Sequence, residues 1–105
     1  MSTLYKEVQG KRTSNSGAVE YIANRQQFKA NSMAGVYANA GDYINTGRLD
    51  SDLIARMNSN QPDYVVYSYG TPIAWHHAGG WEIPAVRYSV TTSKHQSIVR
   101  RAVWA

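Results

Sequence analysis

Three histidines, a hydroxyl-and-lysine cluster and a set of aromatics are the residues of this 105-residue chain whose types could do chemistry. His95 sits in Thr92-Ser93-Lys94-His95, at the expected start of a helix. Unpaired backbone N–H groups at such an end attract anions, and Lys94 adds a full charge, so a phosphate or nucleotide would suit this segment. Read structurally instead, Thr92 and Ser93 cap the helix and His95 plugs an edge of the core. A hydrolase or nuclease centred on His95 needs a partner such as a carboxylate, and the spacing names none. His76 and His77 are adjacent on an expected strand, so their side chains point to opposite faces. No His-x-His or His-x-x-x-His pair brings two imidazoles together and cysteine is absent, so neither a metal site nor a cofactor is expected.

The chain has eight tyrosines, three tryptophans and one phenylalanine. A tyrosine ring packs while its hydroxyl reaches water or a partner, which suits recognition surfaces and base stacking. Alternation along Tyr64–Tyr69 puts Tyr64 and Val66 on one face, and Tyr67 and Tyr69 on the other. Tyr67, Tyr69 and Trp75 are the candidate recognition aromatics, with burial in a tyrosine-rich core as the competing reading. No RNP-type pattern, Gly-rich phosphate loop or GxxG clamp accompanies them.

The formal charge is +4, from 11 Lys and Arg against 7 Asp and Glu. From Arg87 onward there are only bases, Arg87, Lys94, Arg100 and Arg101, and these account for the whole excess. Such polarisation offers a basic patch to phosphate or to an acidic partner; its plainer counterpart is a solvated helix face.

The elements that must position these groups follow from pattern and size. At this length area scaling gives a folded surface of roughly 5,900 Å² against about 17,000 Å² unfolded, enough burial for one modest core. An apolar fraction of 43% with 17% charged residues fits a globular domain. Without cysteine there are no disulfides, thiolate metal sites or cysteine nucleophile. No apolar run nears the roughly 20 residues that span a bilayer, and the first residues lack a signal-like apolar stretch, so a cytoplasmic protein without membrane contact is expected.

Residues 1–17 read as a flexible arm with a short strand around Leu4–Val8, and residues 18–105 as a single domain. Between Ala18 and Asn31 the alternation of Val19, Tyr21 and Ala23 favours a strand over a helix. A further strand covers Met33–Asn39. Leu49, Leu53, Ile54 and Met57 recur at helical spacing, with Asp50 or Ser51 as cap and Asn58–Asp63 as stop. Tyr64–Tyr69, Ile73–His77, Trp81–Ile83 and Val86–Val90 form an antiparallel meander, with turns at Gly70-Thr71-Pro72 and Ala78-Gly79-Gly80. In the final helix Ser93 and Gln96 make a capping box. His95, Ile98, Val99, Ala102 and Val103 share its inner face; Lys94, Ser97, Arg101 and Trp104 share its outer one. The expected fold is α+β: a small antiparallel sheet with a C-terminal helix and one short central helix packed on it, the helices on one face.

Two segments, Tyr67-Ser-Tyr-Gly-Thr-Pro-Ile-Ala-Trp75 and Tyr88-Ser-Val-Thr-Thr-Ser-Lys-His-Gln96, resemble a domain family of unknown function in small proteins of bacteriophages and mobile elements, mainly of actinobacteria. Phe28-Lys-Ala-Asn-Ser-Met33 is similar to segments placed upstream in that family. The resemblance brings no activity. It implies a setting, in which a small cysteine-free protein is expected to be a non-enzymatic accessory factor in the cytoplasm of the infected host. The expected partner is a host or defence-system protein, in an anti-defence or host-takeover role, and self-association is compatible with it. The alternative is nucleic-acid or nucleotide binding through the basic C-terminal helix, by Arg87, Thr92, Ser93, Lys94, His95, Arg100 and Arg101.

Overall fold

The computed structural model describes residues 11–38, 44, 46–84 and 90–104, with backbone alone at 11 and 90–92. Its elements in chain order are β1 (Lys11–Arg12), α1 (Ala18–Ala23), β2 (Phe28–Lys29), β3 (Met33–Tyr37), α2 (Ser51–Asn60), β4 (Tyr64–Ser68), β5 (Thr71–His77), β6 (Gly80–Glu82) and α3 (Val90–Trp104). The strands lie in one sheet in the order β1-β2-β3-β4-β5-β6. β1 pairs with β2 in parallel, and every later neighbour is antiparallel. The expected α+β meander with a central and a C-terminal helix is therefore the observed architecture.

β4 is the strand around which the core forms, and all five of its residues are buried. Its Tyr-Val-Val-Tyr run suits a strand covered on both faces, because aromatic and β-branched side chains fill a pleated surface. Tyr64 and Val66 join Phe28, Ile73 and Val99 in one cluster, with Ala18 and Ile22 of α1 against it. Val65 and Tyr67 join Val36, Trp75 and Met57 in a second cluster, closed by Leu49, Leu53 and Ile54. So α1 and α3 cover one face of the sheet and α2 the other. The expectation of helices on one face is corrected: β4 is apolar on both sides, and a single helical layer would leave Val65, Tyr67 and Trp75 in water.

The strand expected within 18–31 is also corrected, since Ala18–Ala23 is helical and only Phe28–Lys29 is extended. Ala18 and Ile22, four residues apart, are the buried pair of α1, and they outweigh the alternation of Val19, Tyr21 and Ala23. Residues 11–17 are tied to the sheet: the Thr13 amide donates to the Lys29 carbonyl at 2.9 Å. The strand expected at Leu4–Val8 lies outside the described residues.

In β3, a Cβ on Gly35 would sit 2.2 Å from the Tyr64 hydroxyl and 2.4 Å from the Phe28 ring. Glycine there lets the Tyr64 ring cross the strand and donate its hydroxyl to the Gln26 carbonyl at 2.7 Å. Burial, with the Tyr37 phenol adding to it, pushes the Tyr64 phenol well above its ordinary pKa, so the group stays protonated and keeps that bond.

Where β4 meets β5 the register shifts between Val66 and Tyr67, and Ile73 has no partner across the ladder. Beyond the last β5–β6 pair, Trp75–Glu82, Gln96 of α3 donates Nε2 to the Ile73 carbonyl at 3.3 Å and to the Pro84 carbonyl at 2.6 Å, where Pro84 has no N–H to offer. The capping box expected for Ser93 and Gln96 is thereby overturned. The helix begins at Val90, which places Ser93 inside it and spends the Gln96 amide on the sheet. Val90, expected to end a strand, is the first residue of α3, and the rest of that strand falls outside the described residues.

Candidate functional site

The features that stand out gather at one end of the sheet, where the β2–β3 and β4–β5 connections meet the first half of α3. The β4–β5 hairpin turns on Tyr69 and Gly70, with φ of 50° and 80°. Positive φ at both central residues marks the tight hairpin turn that Asn-Gly satisfies most easily. A tyrosine in that position is uncommon, because its Cβ crowds the following carbonyl. The backbone holds it there: Ser68 pairs with Thr71 across the hairpin, and the Tyr69 amide donates to the Ser32 carbonyl at 2.9 Å. The turn was expected one residue later, at Gly70-Thr71-Pro72, whereas Thr71 and Pro72 already belong to β5.

Behind this turn lies His95, which is 2% exposed. Its Nδ1 is 2.7 Å from Ser68 Oγ, and its Nε2 is 3.1 Å from Ser32 Oγ and 3.3 Å from Asn15 Nδ2. Asn15 Nδ2 also donates to Ser32 Oγ at 3.0 Å. With Asn15 Nδ2 as the donor to Nε2, that nitrogen is the acceptor and the ring proton belongs on Nδ1, donating to Ser68. Burial pulls the His95 pKa below its ordinary value and keeps the ring neutral at pH 7. The direction of these bonds matters for chemistry. A histidine that activates a serine accepts its proton; with the ring proton on Nδ1, His95 donates to Ser68 and accepts from Ser32. No carboxylate bonds to the ring among the described residues. The arrangement ties four chain segments together through Asn15, Ser32, Ser68 and His95. Asn15 Oδ1 is buried without a partner among the described residues.

The other expected site residues fall in several places. Tyr67 and Trp75 are wholly buried, on the face that α2 covers, and Trp75 donates its indole N–H to Asn60 Oδ1 at 3.0 Å. Neither ring is offered to a partner, since both fill the sheet–α2 interface. Tyr69 is the exception, at 65% exposure. Lys94 and Arg101 are exposed and Arg100 is half-exposed along α3, and Trp104 is 69% exposed near its end. Ser93 lies within α3 and is half-buried; Thr92 is helical, with its side chain outside the description. Arg87 lies outside the described residues. The sequence missed Asn15, Ser32 and Ser68 as partners of His95. Only their hydroxyl and amide types were visible there, not the pairing that joins them.

The other histidines stay apart from this cluster. His76 Nδ1 lies 2.8 Å from Asp63 Oδ1 and its ring meets Trp81 edge-on, while His77 Nδ1 accepts the Gly79 amide proton at 3.1 Å. Among the described residues no three His, Asp or Glu side chains group to hold a metal. No described helix is long and apolar enough to cross a membrane.

A family model described as a family of unknown function, DUF8033, matches residues 11–100, and the chain belongs to that family. No curated protein and no solved structure matches it.

Proposed function

We propose that this member of a family of unknown function is a non-enzymatic binding domain that recognises a partner protein through Tyr69 and the outer face of α3. The observation that carries the reading is the backbone at Tyr69. A bulky residue in the left-handed region costs about 1–2 kcal/mol, and strain of this kind collects at binding sites and switches. The strained residue is also one of the most exposed large side chains, and its ring is seated on buried His95. A side chain retained at that cost and pointed at solvent fits a residue that a partner covers. Along α3, Lys94, Arg101 and Trp104 line the exposed stripe, and exposed Trp, Tyr and Arg are the types that anchor interfaces.

In the finer form of this reading, the chain is a bacteriophage or mobile-element accessory protein in the cytoplasm of an infected bacterium. Its target there is a host or defence-system component, in an anti-defence or host-takeover role. That setting rests on the sequence resemblance of the Tyr67–Trp75 and Tyr88–Gln96 segments.

A second reading is nucleic-acid or nucleotide binding through α3. It is favoured by a helix without a single acid, whose Lys94, Arg100 and Arg101 have no ion-pair partner among the described residues.

Affinity capture of the tagged protein from a host lysate, with and without nuclease, tests both. A stoichiometric protein that survives nuclease and is lost with Tyr69→Asn or Trp104→Ala supports the first reading. Nucleic acid that co-elutes and is released by salt supports the second. Capture unchanged in both variants overturns the proposed surface.

A further inference from the structure

At the β1 edge of the sheet two like charges stand side by side. Arg12 and Lys29 are direct register partners of β1 and β2, so their side chains leave the sheet on the same face. Both are exposed, and neither has an ion-pair partner among the described residues. Cations placed opposite each other across a ladder repel, and among the described residues no anion balances this pair.

Next to the pair is a cavity of about 400 Å³ lined by Arg12, Thr13, Ala30 and Asn31. Its polar side chains are a guanidinium, a hydroxyl and an amide, all able to donate, and among the described residues its wall contains no carboxylate. The backbone beneath is fixed rather than loose. The Thr13 amide donates to the Lys29 carbonyl at 2.9 Å, and the Ala30 amide to the Met33 carbonyl at 2.8 Å.

We infer that this concavity is a phosphoryl-binding subsite, in which the Arg12 fork takes two phosphate oxygens, Thr13 and Asn31 donate to the remainder, and Lys29 balances the second charge. A planar guanidinium matches two oxygens of a tetrahedral oxyanion, and a second cation with neutral donors suits a dianion better than a carboxylate. The volume is in the range of small-ligand sites and leaves room for the group that carries the phosphate. The subsite shares no residue with the Tyr69 and α3 surface and does not depend on it.

The test is a titration of the full chain, followed through the backbone amide signals of Thr13 and Asn31. The probes are inorganic phosphate and, separately, a short oligothymidine. Binding of inorganic phosphate assigns the subsite to free phosphate esters; binding of the oligonucleotide alone assigns it to a nucleic-acid backbone. In either case Arg12→Gln weakens affinity tenfold or more, Lys29→Gln weakens it less, and Arg12→Lys falls between wild type and Arg12→Gln. Arg100→Gln with Arg101→Gln, and Tyr69→Asn, leave it unchanged. Without ligand at low salt, Arg12→Gln and Lys29→Gln are at least as thermally stable as wild type, because the repulsion is gone. No response to either probe, unchanged affinity in Arg12→Gln, or loss confined to the α3 variant overturns the inference.

Discussion

The Tyr69 ring lies over the His95 ring with centroids 5.8 Å apart and planes tilted by 35°. An exposed aromatic is thus seated on an imidazole that is itself buried and bonded to Ser68, Ser32 and Asn15. The turn and the network form one unit. Ser68 precedes Tyr69 in the chain, and Ser32 receives the Tyr69 amide through its carbonyl while its hydroxyl contacts His95. The Tyr69 ring and the Ser68 hydroxyl both meet His95, which joins the turn to α3.

Replacing Tyr69 by Asn separates the cost of the turn from the use of the ring. Asn-Gly accepts positive φ at both positions with little strain, so Tyr69→Asn is expected to stabilise the fold by about 0.5–1 kcal/mol. Tyr69→Phe keeps both strain and ring and stays within about 0.5 kcal/mol of wild type. Urea denaturation midpoints at equal m-values read both changes. A lower midpoint for Tyr69→Asn means that the ring's contact with His95 outweighs the strain, and the argument for a partner from that strain is lost.

His95 makes stability depend on acid. Its folded pKa is lowered by burial, so between that value and the unfolded value of about 6.5 the unfolded chain binds more protons. Its contribution is complete above about pH 6.5 and is lost progressively as pH falls below it. Thermal melts from pH 7.5 downward should show this fall, and His95→Gln should flatten it while lowering stability at pH 7.5. A variant with the same acid slope as wild type would assign the loss to other groups.

Much of the sheet is legible in the sequence because its signals are local. Tyr64–Ser68 carries its strand preference in four aromatic or β-branched residues, and Gly79 and Gly80 mark the β5–β6 turn. α2 is equally local, with Leu53, Ile54 and Met57 at helical spacing and the stop before Pro62. The sequence misleads where distant packing decides. α1 spans six residues, too few to form a helix unaided, and its place is set by α3 on the same face. The Ser93–Gln96 spacing has the form of a capping box, yet the Ile73 and Pro84 carbonyls claim the Gln96 amide. The site follows the same division. His95 can be singled out by type, whereas its partners come from 80, 63 and 27 residues away along the chain, a pairing that local spacing does not encode.

Gly35 is expected to tolerate no side chain. A methyl group there meets the Tyr64 hydroxyl and the Phe28 ring far inside contact distance, and both are buried. Relief requires the Tyr64 ring to turn, which breaks its bond to the Gln26 carbonyl. Gly35→Ala should therefore cost about 1–3 kcal/mol, the range of overpacking in a filled core. Gly35→Ala combined with Tyr64→Phe, which removes the clashing hydroxyl, should cost less than the two single changes summed. Strict additivity in that double-mutant cycle would show that the hydroxyl is not the obstacle.

Gln96 joins α3 to the irregular part of the sheet, and its two changes should rank in a set order. Gln96→Leu keeps the bulk but leaves the Ile73 and Pro84 carbonyls without their donor, at a cost of about 1–3 kcal/mol. Gln96→Glu also loses the donor and brings a carboxylate against two carbonyl oxygens in a buried place, so it should cost more than Leu at neutral pH. Steric size alone predicts the reverse order, since Glu matches Gln more closely than Leu does. Chemical denaturation of the three proteins decides between them. Amide hydrogen exchange locates the effect, with faster exchange expected along β5 in both variants while β3 keeps wild-type protection. A Gln96→Glu protein as stable as wild type would mean that the Ile73 and Pro84 carbonyls need no donor from α3.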